Sequence, residues 1–154
     1  MRQGRVVAIY IGTEPERPMQ PVTEVVAVAG HGLQGDRYFQ SVENGNPSAE
    51  ITLIECEAVE AAAAESGVDI RFEDTRRNII TSGVRLDDLV GKKFRLGEVE
   101  VEALEPNPPC RHLAELAGKP LLRPLARRAG VRGRIAKGGV VGAGDPIRQG
   151  RKGS

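Results

Sequence analysis

The sequence predicts a mainly β fold, in which short strands form a barrel that carries two or three short helices. Three observations support this prediction. Val- and Ile-rich stretches recur along the chain, and residues 98–103 alternate strictly between Glu and small apolar residues. Turn-forming residues are abundant, with 19 glycines and 10 prolines, whereas aromatic residues make up only 3% of the chain. Many tight connections between short strands account for that composition.

The first half of the chain alternates predicted strands with breaks. Apolar, β-branched runs predict strands at 5–11, 22–28 and 51–54, and the three prolines of residues 12–21 predict a loop. The alanine-rich residues 55–66 predict a helix, and the glycine that follows them is suited to ending it.

The second half predicts further short elements. They comprise a strand at 78–81, a helical turn at 86–90, a hairpin at 94–104 and strands at 134–136, at 140–141 and around Ile147. Asn107 and the two prolines after it predict the N-cap and first turn of a helix that ends at Gly118. A basic helix is predicted at 121–129. We expect a single domain over residues 1–154, with its core at about 5–149 and a loose tail at 151–154.

Composition and charge limit the classes of function. The 22 basic and 21 acidic residues give a net charge of +1, although residues 111–154 carry 11 basic and two acidic side chains, a net +9. The near-neutral total and the few aromatic residues do not favour nucleic-acid binding. The apolar runs are shorter than the roughly 20 residues that span a bilayer. With two cysteines and no recognisable signal peptide, we expect a cytoplasmic location and no membrane partner.

Cys110 is the residue best suited to chemistry. In the predicted first turn of a helix, free backbone N–H groups and the helix dipole stabilise a thiolate, and Arg111 and His112 lie beside it. A thiolate in that position can ligate a soft metal or carry sulfur as a persulfide. The alternative is a small buried hydrophobe. Cys56, within the alanine-rich helix, is predicted to belong to the core.

Two motifs place polar residues where they suit an anionic ligand. Residues 30–38 combine three glycines with Asp36 and Arg37, which suits either close backbone approach to a ligand or a strand connection with a surface ion pair. In a strand, Arg76 and Asn78 would share one face and Arg77 would take the other. A guanidinium and an amide on one face suit a phosphate or a polar heterocycle, whereas a solvated strand edge is the alternative.

The glycine-flanked basic residues near the end of the chain form a third motif. Arg132, Arg134 and Lys137 could complete an anion site, because main-chain N–H groups beside glycines can also contribute. The nearby residues 144–146 are predicted to form a turn.

Taken in order, these motifs resemble the MOSC family, named for the C-terminal domain of molybdenum cofactor sulfurases. The similar stretches are residues 32–37, 76–79 with Gly83, 86–97, 109–110 and 132–145. The resemblance implies a MOSC-type β-barrel like the barrel domain of pyruvate kinase. It also implies that Cys110 ligates molybdenum or carries sulfur, and that Arg76 and Asn78 contact the pterin of molybdenum cofactor.

The sequence also departs from the family pattern. Tyr38 stands where many bacterial members have histidine, and Arg134 replaces the second glycine of a frequent Arg-Gly-Gly. These 154 residues show no pyridoxal phosphate domain and no iron–sulfur module, so we expect a redox activity to need an external electron donor.

The sequence therefore predicts a stand-alone protein that binds molybdenum cofactor or carries sulfur. Cys110 is the predicted metal ligand and catalytic group, and the predicted cofactor-binding residues are Arg76, Asn78, Asp36, Arg37, Arg132 and Lys137. The expected partners are a small-molecule substrate, such as an N-hydroxylated compound to be reduced, and a protein that donates electrons or sulfur. The alternative is a non-catalytic module that binds nucleic acid or another anion through the basic C-terminal quarter.

Overall fold

The computed structural model describes residues 4–14, 16–40, 45 and 47–149; the tail predicted at 151–154 lies outside them. The described residues form eleven strands and two α-helices. In chain order these are β1 (Gly4–Ile11), β2 (Gln20–Val22), β3 (Glu24–Val28), β4 (Gly32–Leu33), β5 (Ile51–Glu55), α1 (Cys56–Ser66), β6 (Ile79–Ser82), β7 (Lys93–Leu96), β8 (Val99–Pro106), α2 (Arg111–Ala117), β9 (Val131–Lys137), β10 (Gly139–Gly142) and β11 (Pro146–Gln149). Short 3-10 helices occupy Pro47–Ala49, Phe72–Thr75 and Leu86–Leu89.

Seven strands close into a barrel. Their order is β11-β7-β8-β9-β5-β6-β1, and the ring closes because β1 also pairs with β11. Neighbouring strands are antiparallel except β5 and β6, which are parallel and flank α1 in sequence. β2 adds to β1 outside the ring, and β10, β3 and β4 form a smaller sheet. The predicted mainly β barrel with short helices is confirmed. No helix in the described part of the chain is long and apolar enough to cross a membrane.

Strand alternation fills the interior of the barrel. In β8, Val99, Val101 and Ala103 are fully buried, whereas the glutamates between them are partly exposed. The predicted alternation of residues 98–103 is thus confirmed, with the apolar face inward. Phe94 and Ile135 from neighbouring strands join the same core.

A second core lies on the outer face of the barrel. Ile54 of β5 and Ile80 of β6 pack there against Val59 of α1 and against Leu121 and Leu125. Because both faces of β5 and β6 are covered, adjacent residues are buried together in each strand, Leu53 and Ile54 in β5 and Ile79 and Ile80 in β6. The chain that follows Cys110 is therefore fixed to the barrel by apolar packing.

The predicted start of one helix is wrong, as is the whole of the helix predicted at 121–129, and proline explains both. Asn107 and Pro108 each precede a proline, a position that disfavours helical backbone, so α2 begins only at Arg111 and Cys110 is its N-cap. The segment 121–129 forms successive turns because Pro124 cannot donate a helical hydrogen bond, and Arg127 has a positive φ of 64°.

We expect Gly130→Ala to destabilise the fold far more than Gly144→Ala. Both glycines have left-handed backbone, with φ of +92° and +94°, so alanine meets similar strain at each. A Cβ at Gly130 would overlap the carbonyl oxygen of Leu53 in β5, whereas no atom lies within 4 Å of a Cβ at Gly144. Urea unfolding should show a loss of about 1–2 kcal/mol for Gly144→Ala and about 2–5 kcal/mol for Gly130→Ala. Equal losses would contradict the packing argument.

Candidate functional site

A cavity of about 340 Å³ opens at the end of the barrel where β5, β6 and β9 begin and β8 ends. Six of the predicted site residues line it: Asp36, Arg37, Arg76, Asn78, Cys110 and Arg132. Lys137 does not, because it lies exposed at the far end of β9, paired in register with Glu100. Tyr38 and His112 also line the cavity. The barrel thus gathers motifs that are about 100 residues apart in sequence.

Cys110 presents an accessible thiol to this cavity. It is a free, exposed cysteine at the N-cap of α2, with extended φ and ψ of −127° and 163°. Its Sγ accepts a hydrogen bond from the backbone N–H of Leu113 at 3.4 Å. The N-cap bond orients the sulfur while leaving it open to a ligand.

The other cysteine is in a different environment. Cys56 opens α1, packs against the outer core and hydrogen-bonds to Glu57. Burial, reinforced by the Glu57 carboxylate, raises the pKa of the Cys56 thiol to about 12. Cys56 is thus protonated at neutral pH and unsuited to nucleophilic or metal chemistry.

Asn78 joins the strands that surround the cavity. Its Oδ1 accepts hydrogen bonds from the N–H and the hydroxyl of Thr52, at 3.1 and 3.0 Å. Its Nδ2 donates to the carbonyl of Tyr10 at 3.1 Å and lies 3.5 Å from Asp36 Oδ1. The side chain is buried, and the fold occupies its hydrogen-bonding groups. That Asn78 also contacts a cofactor stays a prediction.

Asp36 is equally engaged with the protein. It is buried, and its carboxylate accepts hydrogen bonds from the backbone N–H groups of Gly12 at 2.8 Å and Tyr38 at 3.3 Å. It thereby holds the chain after β4 against the end of β1. Next to it, Arg37 lies over the Tyr38 ring, 4.5 Å from the centroid, and donates to the Tyr38 hydroxyl.

Arginine side chains make the cavity cationic. Arg37, Arg76, Arg77 and Arg132 oppose a single lining carboxylate, that of Asp36, which gives a formal net charge of +3 with His112 neutral. Such a concave cationic wall attracts an anion.

Two of these arginines have buried donors without a hydrogen-bond partner. Arg76 donates through Nη1 to the Arg17 carbonyl at 2.7 Å, but its buried Nη2 has none. Burial and, secondarily, Arg37 lower the pKa of Arg76. Arg132 Nε lies 3.0 Å from Glu105 Oε1, but its buried N–H does not point at that oxygen, so the contact is an ion pair without a hydrogen bond. Unsatisfied buried donors are costly, so both positions favour an acceptor-rich ligand.

The predicted placement of Arg77 on the opposite face is wrong. The strand β6 begins only at Ile79, and Arg76 has a left-handed φ of 56°, so strand alternation does not apply to these residues. Arg77 therefore also lines the cavity, although its side chain is buried. A 3-10 helix ends at Thr75, and Arg76 is its left-handed C-cap, so the extended backbone begins only after Arg76.

Fold and site together define a small barrel with a cationic cavity around one accessible cysteine. The family model of the MOSC domain matches residues 40–148, which is 109 of the 154 residues. The chain therefore belongs to the MOSC domain family, and the resemblance found in the motifs is confirmed.

Solved structures share this fold. The YuaD protein of Bacillus subtilis has a TM-score of 0.80 at 19% identity, covering 95% of this chain and 94% of that one. YiiM of Geobacillus stearothermophilus has a TM-score of 0.74 at 21% identity, and the match covers 97% of this chain and 76% of that one. YiiM of Escherichia coli has a TM-score of 0.71 at 18% identity, and the match covers 99% of this chain and 71% of that one. A search of curated protein sequences found no match.

Thiol labelling should separate the two cysteines. At pH 8, iodoacetamide should modify Cys110 and spare Cys56, because a pKa of about 12 leaves roughly one in 10,000 Cys56 thiols ionised. Labelling of Cys56 should rise only as the pH approaches 12 or the protein unfolds. Mass spectrometry of peptides after brief alkylation measures both rates, with Cys56→Ser as the control. Faster modification of Cys56 in the folded protein would contradict the assignment.

Asn78→Ala should lower the free energy of unfolding by about 2–4 kcal/mol, because it removes the acceptor of the partly buried Thr52 N–H and hydroxyl and a donor to the Tyr10 carbonyl. Thr52→Val, which keeps the Asn78–Tyr10 contact, should cost less. Urea titrations with matched slopes measure both losses. If Asn78→Ala had the wild-type free energy of unfolding, the hydrogen-bond network would not stabilise the barrel.

Proposed function

We propose that this protein binds molybdenum cofactor in the cavity, with Cys110 as the protein ligand of the metal. The observation that carries the proposal is the buried, unpartnered Nη2 of Arg76 in a cavity that holds an accessible thiol and a net charge of +3. An anionic ligand with a soft metal satisfies both features, since arginine suits phosphate and a thiolate suits soft metals.

The residues present fit that cofactor. No group of three or more His, Cys, Asp or Glu side chains that could hold a metal occurs in the described residues. A cofactor that brings its own sulfur ligands needs only one from the protein, and Cys110 supplies it. The cavity of about 340 Å³ is within the range of small-ligand sites.

Each residue then has a defined task. Arg76 and Arg132 donate hydrogen bonds to phosphate oxygens, and Arg37 adds positive charge next to Tyr38. Asp36 and Asn78 hold the walls in register. Lys137, which lies outside the cavity, has no part in this binding.

When bound, the cofactor supplies two-electron oxygen-atom transfer, suited to reducing an N-hydroxylated small molecule with electrons from an external donor. Cys110 would hold the metal, and the apolar side chains of Leu113 and Leu116, which line the same cavity, would restrict water there. This activity, the substrate class and the donor protein belong to the proposal.

A sulfur-carrier role is the second candidate, favoured by the exposure of Cys110. An exposed thiol is within reach of a sulfur-donor protein and can hold a persulfide. Nucleic-acid binding is less well supported, because basic residues of the C-terminal quarter pair with carboxylates from earlier in the chain. These ion pairs are Lys119–Asp74, Arg128–Glu65, Arg132–Glu105 and Arg134–Glu102.

The decisive experiment measures cofactor in protein purified from a host that makes molybdenum cofactor. Wild-type protein should contain molybdenum and release a fluorescent pterin on oxidation. Cys110→Ser should fold but lose the metal, because a hydroxyl is a poor soft-metal ligand. Arg76→Ala should bind the cofactor about 1–3 kcal/mol more weakly, the scale of a lost charge-assisted contact.

Cys56→Ser and Arg95→Ala, which alter residues outside the cavity, are the matched controls and should retain the cofactor. Sulfane sulfur on Cys110 without molybdenum would favour the carrier role. Full metal and sulfur loading of Cys110→Ser would refute both candidates.

A further inference from the structure

Arg77 is the most deeply buried cation of the site, with only 7% of its surface exposed. No carboxylate pairs with it among the ion pairs of the described residues; its partners are main-chain carbonyls. Nε donates to Ala129 at 2.9 Å, Nη2 to Asn107 at 2.7 Å and Nη1 to Thr75 at 3.3 Å. Burying a charge that has no oppositely charged partner costs free energy, so packing alone does not account for a buried arginine here.

The carbonyls that Arg77 holds belong to the chain that carries Cys110. Asn107 lies three residues before the cysteine, and Nη2 also lies 3.4 Å from the Pro108 carbonyl. Pro108 and Pro109 have no N–H, so this stretch cannot be fixed by a continuous strand ladder. The Asn107 N–H also donates to the Gly130 carbonyl at 2.9 Å, and the bonds that Cys110 accepts from Leu113 and Ala114 tie the other end of the segment to α2. Before Cys110, the carbonyls of Asn107 and Pro108 thus both face one guanidinium, that of Arg77.

Arg77 and Cys110 line the same cavity, so the charge of the guanidinium also acts on the sulfur. Burial lowers the pKa of Arg77 to about 10, while the nearby Cys110 thiolate opposes that shift and Arg132 adds to it. Arg77 therefore keeps its proton at neutral pH, and its charge and that of Cys110 influence each other.

We infer that Arg77 is the positioning residue for Cys110: its guanidinium anchors the 107–110 segment through main-chain carbonyls and places a positive charge in the cavity that the cysteine lines. The inference rests on the proposed function, because it takes Cys110 to be the reactive group. It adds a residue whose guanidinium bonds to main-chain carbonyls and acts through the cysteine. The single cation thus combines a structural and an electrostatic role.

Alkylation with two reagents tests the electrostatic role. Iodoacetate is an anion and iodoacetamide is neutral, and both consume the same thiolate, so the ratio of their rates at Cys110 reports the local charge rather than the ionised fraction. In cofactor-free protein at pH 8, Arg77→Met should lower this ratio about fivefold, the scale of one charge acting through a partly hydrated site. Arg77→Lys should retain it, and Arg95→Met, on the exposed face of β7, should leave it unchanged. A folded Arg77→Met protein with the wild-type ratio would overturn the inference.

Hydrogen exchange in Arg77→Lys tests the anchoring role. This test does not require Arg77→Met to fold. Lysine keeps the charge, but its one nitrogen cannot replace the two that bond Ala129 and Asn107. Arg77→Lys should therefore speed amide exchange in the peptide 105–114 about tenfold and leave the hairpin peptide 93–101 unchanged. Equal effects in both peptides, or none, would refute anchoring. Because these assays use cofactor-free protein, loading of wild-type protein with molybdenum tests the proposed function separately.

Discussion

The site depends on one buried amide, the side chain of Asn78. It bonds Thr52 at the start of β5 and Tyr10 near the end of β1, and it lies next to Asp36, which holds the chain after β4. Strand ends carry backbone groups that no neighbouring strand pairs, so a buried side chain with donors and an acceptor satisfies them at little cost. This network joins the chain segments that form the walls of the cavity.

The walls of the cavity hold an excess of positive charge. Arg76 and Arg132 keep buried donors without hydrogen-bond partners, and Arg77 is buried among carbonyls. A flexible surface would move these groups into water, whereas closed strands and the outer core prevent it. The free energy of packing elsewhere in the molecule thereby offsets a cost at the site, as is usual where a protein is organised for a ligand.

The position of Cys110 follows from the different ways in which the chain is held before and after it. Two prolines remove the segment before it from any strand ladder, and Leu113, Leu121 and Leu125 anchor the chain after it to the outer core. The cysteine is thus exposed yet held between fixed elements. An exposed thiol on a well-anchored chain suits repeated binding of a metal or sulfur better than a thiol on a mobile loop.

By itself, the sequence determined the barrel, the strand alternation of β8, the family and the gathering of most of the site. These properties follow from local periodicity and from short motifs, both of which are read directly from residue order. The tertiary structure alone decided that Asn78 and Asp36 hydrogen-bond within the fold, that Lys137 lies away from the cavity and that Arg77 lines it. Hydrogen-bond partners 26 to 68 residues apart leave no local pattern. Chain closure brings them together, because strand pairing between distant residues sets which side chains share one end of the barrel.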